Sequence, residues 1–162
     1  MARQQPIELF MPPNMLKAKL GGGSGTPGPD LAAIKRAEAA MEELRGEFAA
    51  WAADDVEKLM TARASFAKTP DAASRAALLR AAHDMKGQAA TFDYPMIARV
   101  AGSLSKLIGE LPQTRDLPLG LVDAHVSAVH VIYRDKVMDA SNKMAVVLSA
   151  ELEKQVDALL KS

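Results

Sequence analysis

The sequence of 162 residues predicts an all-α fold: an up-and-down four-helix bundle with an additional C-terminal helix and a long N-terminal helix. Three observations carry that expectation. Ala, Leu, Lys, Glu and Arg dominate while aromatics number only seven, which favours helix over sheet. From Asp30 onward apolar residues recur mostly at steps of three and four, and no segment alternates as a strand does. The periodic segments are joined by short breaks, which makes successive helices antiparallel neighbours.

Residues 1–29 stand apart. Three prolines and then a Gly/Ser/Thr/Pro stretch describe a flexible N-terminal tail. Its apolar residues (Ile7, Leu9, Phe10, Met11, Met15 and Leu16) are candidates for lying on the domain or binding a partner. Residues 30–162 read as one helical domain. Asp30 suits the N-cap of a long helix, or two nearly continuous ones, reaching about residue 67. Its stripe is Leu31, Ile34, Met41, Leu44, Phe48, Trp51, Val56, Leu59 and Phe66. "KTPD" stops it, and Asp71 caps a second helix over about 71–92 with Leu78, Ala82, Met85, Ala89 and Phe92 inward. Pro95 fits the first turn of a third helix, which buries Ile97, Val100, Leu104, Leu107 and Ile108. "ELPQTRDLPLG" is a loop. A fourth helix is expected over about 118–138, and a fifth from near Ser141 with Leu148, Leu152, Val156 and Leu159 inward.

Composition excludes several function classes. Twenty basic residues balance twenty acidic ones, so neither nucleic acid nor an anionic membrane is expected as partner. Without cysteine there is no disulfide, thiolate nucleophile or cysteine metal site. No apolar run approaches the ~20 residues of a membrane span, and the N-terminus lacks a signal peptide's apolar core; a cytoplasmic protein is expected. His125 and His130, five apart, lie about 140° apart on a helix and do not converge on a metal. His125 falls with Leu121, Val129 and Ile132 as a half-buried core histidine, and His130 on the outer face.

"AAHDMKGQAATFDYP", residues 81–95, is different. With the centre of the second helix's stripe as zero, His83 lies near 140°, on the outer face. Ala76, Leu79, Lys86, Gly87 and Ala90 share its azimuth, and most of them barely project. Gly87 costs roughly 1 kcal/mol against alanine inside a helix. That cost is tolerated most readily where something approaches the backbone closely; otherwise the glycine is incidental or admits another helix. Lys86, three residues on, leans toward the ring, and Arg80 is on the same side. A neutral imidazole gains little from a lysine, whereas a phosphorylated one gains a charge-assisted partner.

"HDMKGQAATFDYPMIARVAGSLSKLI" resembles the histidine phosphotransfer (HPt) domain of bacterial two-component phosphorelays, including the form found in chemotaxis histidine kinases. His83, Met85, Lys86, Gly87, Ala89 and Phe92 fall on the family pattern, and "TFDYP" is similar to its Thr-Phe-Gly-Phe-Pro variant. The resemblance implies that His83 takes a phosphoryl group on Nε2 from a receiver domain's aspartyl phosphate and passes it to another response regulator. It implies that Lys86 steadies the phosphoryl oxygens and that Gly87 leaves room for the receiver's loops. It implies receiver domains of a hybrid histidine kinase and of a response regulator as partners, a monomer, and no cofactor of its own, since the receiver brings the Mg²⁺. Ala76, Leu79, Ala90, Tyr94 and Met96 are then the expected apolar docking patch, with Arg80 and Lys86 complementing the receiver's acidic pocket. Two positions depart from the pattern. Asp93 stands where glycine is usual, and Ser105 stands where a glutamine often orients the ring; Ser105 through a water, or Gln88, would have to replace it.

Two other readings compete. "HDMK" also resembles the His-box of dimerising histidine kinases, but Gln88 stands where those carry proline. The 50 residues after Pro112 leave no room for an ATP-binding domain, so autokinase activity is not expected, and this reading becomes a degenerate kinase-like phosphotransferase that dimerises through its helices. From another class, the chain would be a helical adaptor that binds through its long first helix and apolar tail.

Overall fold

The computed structural model describes residue 28 and residues 30–162, so the expectations for the tail lie almost wholly outside the described residues. Five helices follow one another: α1 (Leu31–Lys68), α2 (Ala72–Thr91), α3 (Pro95–Glu110), α4 (Leu119–Arg134) and α5 (Lys143–Lys161). No strand occurs among the described residues. The bundle is built within Met41–Ser162, a compact unit; residues up to Ala40 belong to a separate one.

Local chemistry explains the boundaries. Asp30 accepts a hydrogen bond from the Ala32 amide at 3.1 Å, capping α1. Asp71 opens α2 with a reciprocal capping box: its carboxylate accepts from the Ser74 amide at 2.7 Å, and Ser74 Oγ accepts from the Asp71 amide. Pro95 begins α3. α2 ends in a left-handed residue, Asp93 at φ 58°, with the Tyr94 amide bonded back to the Ala89 carbonyl. α4 ends the same way at Lys136, φ 52°, with Val137 bonded back to Ile132. That turn stops α4 at Arg134, a turn short of the expected 138.

α3 is the central element, packed on α2, α4 and α5. It buries Met96, Ile97, Val100, Ala101, Ser103, Leu104, Leu107 and Ile108, half its length. The predicted stripes of α2 and α3 are buried, with Phe92 half-buried. The stripe of α1 is covered only from Val56 onward, together with Leu59 and Phe66. Phe48 and Trp51 are half-buried, stacking on Phe92 with ring centroids 4.5 and 4.4 Å away. Leu31, Ile34, Met41 and Leu44, expected inward, are exposed, as is Leu148 of α5. Bidentate pairs join α1 to α4 (Arg63–Asp123, 2.5 and 2.6 Å) and α3 to α5 (Arg99–Glu153, both 2.7 Å). Their geometry sets helix placement more than it adds stability.

Arg75 and His125 are two of the buried polar side chains, beside Asp55, Ser103 and Ser149. Arg75 of α2 is buried, and its guanidinium donates to the carbonyls of Ile108, Leu111, Pro112 and Arg115. It thereby caps the C-terminus of α3 from a neighbouring helix. His125 is fully buried rather than half-buried. Its Nδ1–H donates to the Leu121 carbonyl at 2.7 Å, leaving Nε2 to accept from Ser103 Oγ at 3.0 Å. Burial pushes its pKa below the ordinary histidine value. Above pH about 6.5 the ring is neutral whether the chain is folded or not. Below that, the unfolded chain takes up a proton that the folded chain resists, so stability falls with pH. Urea denaturation at pH 7 and pH 5 should show this loss, and a His125→Phe variant should show a smaller one. An equal loss in both would refute the assignment.

Candidate functional site

His83 stands exposed in the middle of α2. α3 runs antiparallel beside it, and two glycines set the register. A Cβ added at Gly102 would lie 3.4 Å from Lys86 Cδ and 3.6 Å from Cε, so the lysine's stem rests where a side chain is missing. A Cβ at Gly109 would meet Leu79 Cδ1 at 3.8 Å. Lys86, His83 and Leu79 therefore run along α2 level with Gly102, Ser105 and Gly109 of α3. Sequence reasoning named Ser105 but missed the two glycines; the spacing in "GSLSKLIG" was the available signal.

Ser105 is level with His83, and its Oγ is buried without a hydrogen-bond partner among the described residues. Gln88 is half-buried on the other flank of α2. There it lines a groove toward α1 with Arg80, Asp84, Asp55 and Lys58. Asp55, which sequence reasoning did not single out, is buried; Oδ1 accepts from Lys58 at 3.3 Å and Oδ2 has no partner among the described residues. Arg80 and Lys86 thus flank His83 from opposite sides, one toward α1 and one toward α3. Both are exposed.

A Cβ added at Gly87 would meet nothing within 4 Å. Its helical cost therefore does not serve packing inside the molecule. Of the expected docking patch, Ala76 and Ala90 are exposed and Leu79 and Tyr94 half-buried. Met96 is a correction: it is 3% exposed and belongs to the core. It lies one turn before Val100, on the stripe that α3 buries, so it has no surface to offer. Asp93 takes the left-handed conformation that glycine takes at no steric cost, and keeps the α2–α3 turn intact.

A concavity of about 530 Å³ is lined from α1 and α4 by Met60, Val126 and His130 among others, and includes no residue of α2. His83 stands on an exposed helical face and is not among the residues lining that concavity. No group of three or more His, Asp or Glu that could hold a metal occurs among the described residues.

The family model for the Hpt domain matches residues 43–161. The chain belongs to the Hpt family. The matched span takes in most of α1 and all of α2–α5, so the helical bundle is that of an Hpt domain. An Hpt domain has a phosphotransfer role in phosphorelays and two-component signalling, carries its phosphoryl group as phosphohistidine, and interacts with receiver domains. Hpt domains are transfer modules without kinase activity. No curated protein and no solved structure matches the chain at a significant level. Among the described residues no helix is long and apolar enough to cross a membrane.

Proposed function

We propose that His83 is the phosphoryl carrier, taking the group from the aspartyl phosphate of one receiver domain and delivering it to another response regulator. The single observation that carries this is the exposed His83 beside Gly87, whose flank is open, with Lys86 one turn away. In the forward step the Nε2 lone pair bonds to phosphorus. The P–O bond to the aspartate breaks, and the carboxylate leaves with its electron pair. Nδ1 keeps its proton. The return step is the same reaction reversed onto a second aspartate.

The receiver supplies Mg²⁺ and most of the charge neutralisation, and this chain supplies a positioned nucleophile and one cation. Lys86, its stem bedded on Gly102, holds its ammonium on the side from which the phosphoryl oxygens arrive. Ala76, Leu79 and Ala90 let a receiver approach, Tyr94 borders them, and Arg80 meets the receiver's acidic pocket from the other flank. Ser105, level with the ring, and Gln88 are the candidates for steadying it. A hybrid histidine kinase is the source of the donor receiver, which places the exchange in the cytoplasm.

The test uses a radiolabelled phospho-receiver as donor. The label should move to this protein as an acid-labile, base-stable adduct and chase onto an unlabelled second receiver. A Lys86→Ala variant should slow the transfer about tenfold, the loss of one charge-assisted contact. An acid-stable adduct, or one that cannot be chased, would overturn the proposal.

A further inference from the structure

Asp55 is a buried charge that the phosphotransfer chemistry does not use. It is 6% exposed, and Oδ2 has no hydrogen-bond partner among the described residues. Oδ1 accepts from Lys58 at 3.3 Å, but Lys58 holds Asp54 more closely, at 2.7 Å. A carboxylate buried and met this poorly costs stability, and a group left over in this way calls for a functional reason. Asp55 lines a groove of about 310 Å³ between α1 and α2, together with Lys58, Arg80, Asp84 and Gln88. The short break between α1 and α2 makes them antiparallel, and Trp51 packs on Phe92. Asp55, one turn past Trp51, therefore comes level with Gln88, one turn before Phe92. Asp84, the residue after His83, is one turn further along, and Arg80 one turn beyond that.

The charges are sorted along this groove. Lys58 is committed to Asp54, so the end near Gln88 presents the carboxylates of Asp55 and Asp84 with little cationic cover. The other end presents Arg80. We propose that Asp55 anchors the docking receiver: an arginine of the receiver enters the groove and is held between the Asp55 and Asp84 carboxylates. This deepens the reading of His83 as carrier and rests on it, since a receiver seated over His83 is what brings a side chain to the groove. The planar guanidinium fork suits two carboxylates better than an ammonium does. The terminal torsion of an aspartate is soft, so the unpartnered oxygen turns toward a donor at little cost. Arg80 meets the receiver's acidic pocket at one end, and Asp55 meets its arginine at the other. A receiver docked in reverse sets like charges together. Asp55 thus decides which receiver docks and in which orientation, and takes no part in the transfer itself.

Asparagine at this position keeps the shape and removes the charge. The donor receiver domain, titrated calorimetrically into an Asp55→Asn variant of the full chain, should bind with a Kd about tenfold above the parent's. The variant should melt no lower than the parent, because a poorly matched buried charge is gone. In transfer assays the loss should appear at low receiver concentration and vanish at saturation, since His83 and Lys86 are untouched. Replacing the receiver's arginines by alanine one at a time should find one that weakens the parent equally and the variant no further. Equal affinity for parent and variant, with label still reaching His83, would overturn the anchor and leave the carrier reading standing. An arginine scan with no coupled position would overturn it too, and would mean that water serves Asp55. So would a lower melting temperature with the loss persisting at saturation, which would give Asp55 to the fold or to Arg80 of its own chain. Failure of His83 to take label would remove the carrier reading and the anchor with it.

Discussion

A His83→Gln variant should accept no phosphoryl group from any receiver, while melting within about 1 °C of the parent. The two halves of this expectation have separate causes. Glutamine keeps the polarity and approximate length of the side chain, but its amide nitrogen lone pair is delocalised into the carbonyl and does not attack phosphorus, so loss should be complete rather than graded. The site is exposed on a helix face, and exposed substitutions of this kind stay within about 0.5 kcal/mol. The contrast with Lys86→Ala is informative: removing the cation slows transfer, whereas removing the nucleophile ends it. The measurement is label incorporation beside a thermal melt on the same preparation. Label persisting in His83→Gln would move the carrier to another residue and end the proposed role of His83.

The second large effect is on stability. An Arg75→Met variant should lose about 3 kcal/mol, because the carbonyls of Ile108, Leu111, Pro112 and Arg115 lose a buried donor together. For a chain of this size that lowers Tm by roughly 10 °C. Methionine retains the packing of the stem against the core, so the loss reports the guanidinium and not a cavity. Arg75→Lys should recover part of it, since an ammonium supplies charge to the end of α3 but cannot reach four acceptors from one plane. Chemical denaturation at pH 7 measures all three proteins. A loss under about 1 kcal/mol for Arg75→Met would mean that water caps the end of α3 equally well.

Much of the bundle was legible because each of α2 and α3 buries a stripe on elements next to it in the chain. Asp71, Pro95 and the left-handed Asp93 were legible for the same reason: their chemistry is local. What escaped reading depends on partners distant in sequence. Arg75 continues the stripe of Leu78 and Ala82 at helical spacing, yet its acceptors lie 33 to 40 residues on. His125 reads as a half-exposed ring until Ser103, from another helix, meets its second nitrogen. Met96 was placed on the surface because it adjoins Tyr94, although the face of α3 it shares with Val100 turns inward. At the site, His83, Lys86 and Gly87 were legible as a pattern along one helix. The bed of Gly102, Ser105 and Gly109 was not, because it takes shape only when α3 lies beside α2.

Trp51 is the chain's only tryptophan, and it sits edge-on to Phe92 where α2 stops and α1 runs on. Its fluorescence therefore comes from one place, with no other indole to dilute the signal. The emission maximum and its quenching by small solutes report how wet that junction is. The protein carries an intrinsic optical gauge at the end of the helix that bears His83, readable in solution without a label.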